Sequence, residues 1–432
     1  MKQTESFELK GYWWLPLKPS IKIAGIVTYT PGEGIILELF GSFKEENDVI
    51  ELLSADSSEE TIHGMLENAQ DVTLLHCSPS VNYNLSSFPV IKYSCTYCFI
   101  GEHFNSLNDK GRFSIKAQFP ELSYWCRPAV IQETIAKNKE NKGQTISISI
   151  NSENGGKILD EVKLEDDFNI RLRAGANFRT TAGLLDNYMN QSTWVEISRE
   201  DAVSFNELLT QAHKFEGFLS LATLRVVESS EIVLYDEDYY QEDGAGTKHY
   251  FAIHFFSSHW RGRGNGKVEF FRFLFGYDAI KNKFAQIMQA WYADKNDMSP
   301  IRESLIDSFE KKRIFSSMDF LILARALDGY CIRSKYKGSL TNRMKAVIEK
   351  FSDITRIKRD NINVEELVDS RDYYAHFMPR SRKKNVLDGS NLHTLTQKVR
   401  RLVICCILYD LGFDKSAIDA MLSKCNSWYI KS

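Results

Sequence analysis

Near the C-terminus the chain reads Ser370-Arg371-Asp372-Tyr373-Tyr374-Ala375-His376-Phe377, with four residues between an arginine and a histidine. The basic run Arg380, Arg382, Lys383 and Lys384 follows at once. A histidine can move a proton near neutral pH, and an arginine can hold the negative charge that develops on phosphorus. Beside cations that grip phosphates, the two side chains can cleave RNA without a metal.

Chance alone supplies roughly one Arg/His pair at such spacings in a chain of this composition, so the surroundings must decide. Val364, Leu367, Val368, Arg371, Tyr374, Ala375 and Met378 fall on one helical stripe. Arg371 thus interrupts an apolar face, where a charge needs an internal partner, an interface or a cleft. The competing reading is an arginine paired to a core carboxylate beside a surface histidine. Tyr373 and Tyr374 can stack on bases or simply pack. The run Arg380, Arg382, Lys383 and Lys384 can hold RNA phosphates, or form a solvated loop with no role.

Two metal readings are weaker. Asp369 and Asp372 form one acidic pair without further ligands nearby, a poor site for Mg²⁺. Cys95-Thr96-Tyr97-Cys98 has zinc-like spacing, with Cys77, His103 and Cys126 as partners. It lies in an alternating strand pattern, where residues three apart point to opposite faces. No metal and no cofactor is expected.

The chain has 432 residues, 43% hydrophobic and 12% aromatic, enough for packed cores and roughly three domains. It starts without an apolar leader, and its longest apolar run, Leu402 to Leu408, is too short to span a membrane. Eight irregularly spaced cysteines do not form a disulfide framework, so a cytoplasmic protein is expected. The net charge of −3 is split unevenly. Residues 296 to 432 carry 25 Lys+Arg against 17 Asp+Glu, or +8, and the remainder carries −11. A polyanion would bind the C-terminal third, and the acidic N-terminal region is suited to contacts with protein.

The elements that position the pair are helical. After Tyr277, apolar stripes recur at helical spacing: Ile280, Phe284, Ile287, Met288 and Trp291; Phe320, Ala324, Leu327 and Cys331; Leu340, Met344, Val347 and Phe351. A further stripe runs through Leu392, Leu395, Val399, Leu402, Cys406 and Tyr409, with Gly412 ending that helix and Asp414 capping the last. Ser299-Pro300 reads as a cap and first-turn proline, and a domain boundary is placed near Lys295.

Upstream, strands fit Ile21 to Tyr29, Gly34 to Gly41, Asp71 to His76, Val90 to Ile100, Phe113 to Phe119 and Ile146 to Ile150. Ala136 to Gly143 reads as an exposed loop and Ser204 to Leu224 as a helix. Strands at Lys248 to Phe256 and Lys267 to Tyr277 flank the glycine cluster Arg261 to Lys267, read as a hairpin turn. The fold class is α+β: a β-rich region over residues 1–293, then a helical bundle over 296–432.

A terminal bundle carrying Arg371-Asp372-x-x-x-His376 resembles a HEPN ribonuclease domain, with Asp372 at the polar position that often follows the arginine. The segments Gly11-Tyr12-Trp13-Trp14-Leu15-Pro16, Gly34 to Leu39, Asp71-Val72-Thr73-Leu74, Ile100-Gly101-Glu102-His103-Phe104 and Phe273-Leu274-Phe275 resemble the N-terminal domain of ApeA-type anti-phage proteins. The resemblance implies a defence nuclease that cuts RNA, often tRNA, when infection is sensed. His376 would act as general base or acid and Arg371 as charge stabiliser, leaving 2′,3′-cyclic phosphate ends. On an ideal helix residues five apart lie about 140° apart, so the resemblance also implies a homodimer whose groove takes these residues from two chains. A phage protein is the expected trigger at the N-terminal region. The rival expectations are a non-catalytic RNA-binding or dimerisation module and a metal-dependent nuclease.

Overall fold

Alternating apolar residues early in the chain set down six antiparallel strands: β1 (Phe7–Trp14), β2 (Ile23–Thr30), β3 (Gly34–Leu39), β4 (Glu60–Leu66), β5 (Asp71–Pro79) and β6 (Ile91–Ile100). The structure, a computed structural model, describes residues 1–43, 60–79, 90–128, 130–137, 144–150, 156–180, 187–262, 268–310 and 316–425. The pairings β1–β2, β2–β3, β3–β6, β6–β5, β5–β4 and β4–β1 close these strands into a barrel. Closure leaves no unpaired edge within the ring. Trp13, Val27, Leu37, Leu74 and Cys98 are fully buried in its filling. Trp13 stands opposite Gly64 across the β1–β4 pair, and any side chain at Gly64 would collide with the indole.

The next elements are β7 (Lys110–Gln118), α1 (Pro120–Cys126), β8 (Ile131–Lys137), β9 (Gln144–Ile150), β10 (Lys157–Lys163), β11 (Asn169–Thr180), β12 (Asn187–Ser204) and α2 (Phe205–Thr223). β13 (Glu231–Asp236), β14 (Tyr240–Glu242), β15 (Lys248–Tyr250) and β16 (Ile253–Ser257) follow. β6 serves two sheets: beyond its pairing with β3 it pairs with β16, and the order β16-β13-β7-β12-β11-β10 makes an open antiparallel sheet. One face of that sheet is apolar and carries α1 and α2. The Ser204 hydroxyl and the Glu207 carboxylate close a reciprocal cap at the start of α2.

The C-terminal helices are α3 (Phe284–Ala293), α4 (Ser299–Asp307), α5 (Ser317–Arg333), α6 (Leu340–Lys350), α7 (Thr355–Asp360), α8 (Val364–His376), α9 (Gly389–Asp410) and α10 (Lys415–Lys424). α9 runs through the middle, with Leu402 to Leu408 almost wholly buried, and α5 packs against it. α3 lies on β10 and α4 touches α2. A single continuous apolar core therefore runs from the inner face of the open sheet through the helices.

The α+β class stands, with corrections of detail. The expected strand Lys248 to Phe256 is broken into β15 and β16, because β15 pairs with β14 whereas β16 pairs with β13 and β6, and Phe251 and Ala252 between them stay exposed. No strand forms over the described part of Lys267 to Tyr277. A short 3₁₀ turn, Phe270–Arg272, stands there, and the Leu274 and Phe275 amides both donate to the Ala222 carbonyl. Phe275 buries against Phe218 of α2 and Tyr277 against Trp125 and Phe284 without joining a sheet, while Phe271 stays exposed. The glycine cluster lies outside the described residues from 263 to 267, as does the expected loop from 138 to 143, while Ala136 and Lys137, expected in that loop, end strand β8. Ser299 does not cap α4 but is its first residue, its hydroxyl hydrogen-bonded to Asp294 Oδ2 at 2.7 Å.

Candidate functional site

The helix that carries the pair is specified at both ends. Asn363 Oδ1 accepts from the Glu365 and Glu366 amides at 2.9 and 3.4 Å, and those two carboxylates suit the positive end of the helix. At the other end His376 is the last helical residue, and Phe377 adopts a left-handed conformation with φ 53°. Leu367 and Ser370 are buried, while Val364, Val368 and Tyr374 pack partly against the core. The expected apolar stripe is shorter than the sequence implies: Met378 lies beyond the helix and is exposed, and Arg371 sits at the margin of the buried face.

Arg371 Nη1 lies 2.8 Å from His376 Nε2 and 2.9 Å from Asp372 Oδ1. A guanidinium can only donate, so Nε2 carries the lone pair and the ring proton of a neutral His376 belongs on Nδ1. Arg371 reaches across the helix because its side chain is long and His376 sits on the final turn. One chain therefore brings together two groups that an ideal helix would separate. Arg371 Nε is buried and has no hydrogen-bond partner among the described residues. His376 is exposed.

The segment after the helix folds back onto it. The Leu387 amide donates to Ser370 Oγ at 3.0 Å, and Tyr374 Oη donates to the Leu387 carbonyl at 3.1 Å. Asn385 donates twice to Asp369 Oδ2 at 3.1 Å. Lys383 Nζ bridges Asp372 Oδ2 at 2.7 Å and Asp369 Oδ1 at 3.4 Å. Burial pushes the Asp372 carboxyl up, but hydrogen bonds from Lys383 and Arg371 outweigh it and hold the group below its ordinary range. The same hydrogen bond to Asp372 raises Lys383.

The expected phosphate-holding residues thus have different surroundings. Arg380 pairs with Asp388 at 2.7 Å, and its guanidinium lies over the Tyr373 ring at 5.2 Å. Arg382 and Lys384 are exposed, with no ion pair among the described residues. Asp369 and Asp372, the acidic pair considered for Mg²⁺, both face Lys383. Cys77, Cys95 and Cys98 are buried together in the barrel filling, and Cys126 belongs to the other core. Among the described residues no group of three or more His, Cys, Asp or Glu is arranged to hold a metal ion. Sequence reasoning missed Ser370, Asn385 and Leu387 as the residues that fix the loop. A small polar residue on the buried side of the helix was the available signal.

Comparison with known families gives two matches. Residues 8–291 match ApeA N-terminal domain 1, and residues 283–417 match the Apea-like HEPN domain. No curated protein and no solved structure matches the chain.

Proposed function

The chain belongs to the ApeA family, with the family's N-terminal domain followed by its HEPN domain, and from that premise we propose an anti-phage ribonuclease that cuts RNA without a metal. One observation supports this reading above the others: the 2.8 Å contact between Arg371 Nη1 and His376 Nε2 at the surface of a basic region. Arg371 first leaves Nε2 for the non-bridging oxygens of the bound phosphate, and Asp372 keeps its fork oriented. The freed Nε2 lone pair then takes the proton of a ribose 2′-OH as that oxygen attacks the adjacent phosphorus. The bond to the 5′ oxygen breaks, a proton returns to that oxygen, and the products carry a 2′,3′-cyclic phosphate and a 5′-OH.

In this reading residues 296–432 are the nuclease and residues 1–293 sense infection through a phage protein. The substrate is tRNA, and the work is done in the cytoplasm; no helix of the described residues is long and apolar enough to cross a membrane. Two copies pair through the bundle, so that one groove holds two Arg371/His376 sets. Phe377, 89% exposed beside His376, is the kind of side chain such pairing would cover. The test is cleavage of total RNA by purified protein in EDTA, with mapping of the product ends. His376→Ala and Arg371→Ala should each lose about 10²- to 10⁴-fold in rate with folding intact. An unaltered rate in His376→Ala would leave the bundle as a scaffold.

A further inference from the structure

The second face of the open sheet is unlike the first. Its strand register sets Tyr235 beside Ser114, and Lys116 beside Glu196 with Trp194 next along β12. The residues between them, Ile115, Ala117, Val195 and Ile197, turn to the core. A solvated face of this kind is ordinary in an antiparallel sheet. Here the β14–β15 hairpin stands beside it, with Tyr250 against Phe113 at 4.8 Å, and borders an open cleft of about 670 Å³. That volume is within the usual range for small-molecule sites.

The charges in the cleft are not balanced by its own residues. Glu196 is held by Arg173 at 2.8 Å and Arg171 at 3.3 Å. Lys116 is half-buried and forms no ion pair among the described residues. Its ammonium stands 4.1 Å over the Trp194 ring. Trp194 is itself fixed in a slot, because a side chain at Gly156 or Gly175 would run into the indole. Burial lowers the Lys116 pKa, and the charges of Glu231 and Glu196 offset this only in part. Lys248, on the hairpin, forms no ion pair among the described residues; it is hydrogen-bonded to Tyr240 and lies 4.0 Å over that ring, with Glu242 across the hairpin.

We propose that this cleft binds a nucleotide, its phosphate on Lys116 and Lys248 and its base against Phe113 and Tyr250. Two ammonium groups that form no ion pair among the described residues suit an anion, and the aromatic rings beside them suit a planar group. A peptide strand is a poorer occupant. β7, β12 and β13 are each paired on both sides, so the floor of the cleft offers no free edge for strand addition, and β15, free on one side, is only three residues long. The site lies apart from Arg371 and His376 and does not depend on their role.

Calorimetric titration of the full-length protein with ATP, GTP, AMP and inorganic phosphate tests the proposal. Lys248 and Tyr250 belong to an exposed hairpin, so Lys248→Ala and Tyr250→Ala should fold as the parent does; circular dichroism checks this. Each should weaken nucleotide binding about tenfold, the effect of losing one charged hydrogen bond or one stacking contact. His376→Ala should bind unchanged. Absence of saturable binding at millimolar nucleotide, or unchanged binding by both hairpin variants, would overturn the proposal. So would inorganic phosphate binding as tightly as nucleotide with no effect of Tyr250→Ala. A single-stranded RNA oligomer bound through Lys248 with no mononucleotide binding would also overturn it, making the cleft an RNA surface.

Discussion

Lys383 Nζ lies 2.7 Å from Asp372 Oδ2, while the other oxygen of that carboxylate takes the Arg371 guanidinium at 2.9 Å. The loop lysine therefore steadies the group that aims the arginine, and its charge is already spent within the protein. Arg382 and Lys384 remain available to a polyanion. Lys383→Ala should lower single-turnover cleavage about tenfold at saturating RNA with little change in affinity, since it loosens Arg371 and leaves the exposed cations in place. Arg382→Ala with Lys384→Ala should do the reverse, weakening binding and reducing its salt slope by about one for each lost phosphate contact. Binding at several salt concentrations beside single-turnover rates separates the two. Identical effects of both variants would remove the distinction.

A second prediction concerns α7 and α9. Arg401 grips Asp360 through Nε at 2.6 Å and Nη2 at 2.7 Å, with both side chains almost fully buried. Asp360→Ala strands a guanidinium in the bundle and should cost about 3–5 kcal/mol in denaturant unfolding. Replacing both partners by Leu and Met should recover most of that loss. If the double variant is no better than the single, desolvation of Arg401 is not the cause.

Phe377 holds φ 53° while 89% exposed, so its backbone is strained and its ring returns little packing within the chain. Glycine adopts that conformation freely. Phe377→Gly should raise the unfolding free energy of the monomer by about 0.5–1 kcal/mol. A fall in stability under dilute conditions would show that the ring packs somewhere the strain argument does not count.

The pH dependence has a definite sign at Glu121. Burial raises its carboxyl to about 7 from an ordinary 4.5, even with Arg225 Nε at 3.1 Å. Between these two values the folded chain holds a proton that the unfolded chain has lost. Glu121 therefore makes stability fall as pH rises from about 4.5 to about 7, and adds no further slope above that. Glu121→Gln should flatten this part of the profile in unfolding measured from pH 5 to 8. An identical slope in the variant would place the titration elsewhere.

The helices were largely legible because their apolar spacing answers to one partner surface: Phe284, Ile287 and Met288 all bury as the pattern requires. So were four of the six barrel strands, where alternation reports the two faces; β1 and β4 were not read from it. Lys267 to Tyr277 misled because Phe and Tyr favour strands and irregular buried segments alike, and only the Ala222 carbonyl, far off in sequence, decides between them. At the site, Arg371 and His376 could be named from spacing and type. Their meeting could not, since it depends on which rotamer the long arginine takes and on the helix ending at His376. Lys383 was legible as a cation but not as a buttress, because Asp369 and Asp372 choose it over its neighbours through the fold of the loop.

The barrel keeps its own filling, whereas the open sheet shares its core with the bundle, and Trp291 is the joint. Its ring meets Phe218 of α2 at 5.7 Å, its Nε1 donates to the Lys214 carbonyl, and Arg302 of α4 lies 4.5 Å above it. A change in size inside the barrel can be answered by another barrel residue. A change at Trp291 must be answered on α2 and α4 together. The interior of the barrel can therefore be reshaped on its own, while the open sheet and the helical bundle can only change as one piece.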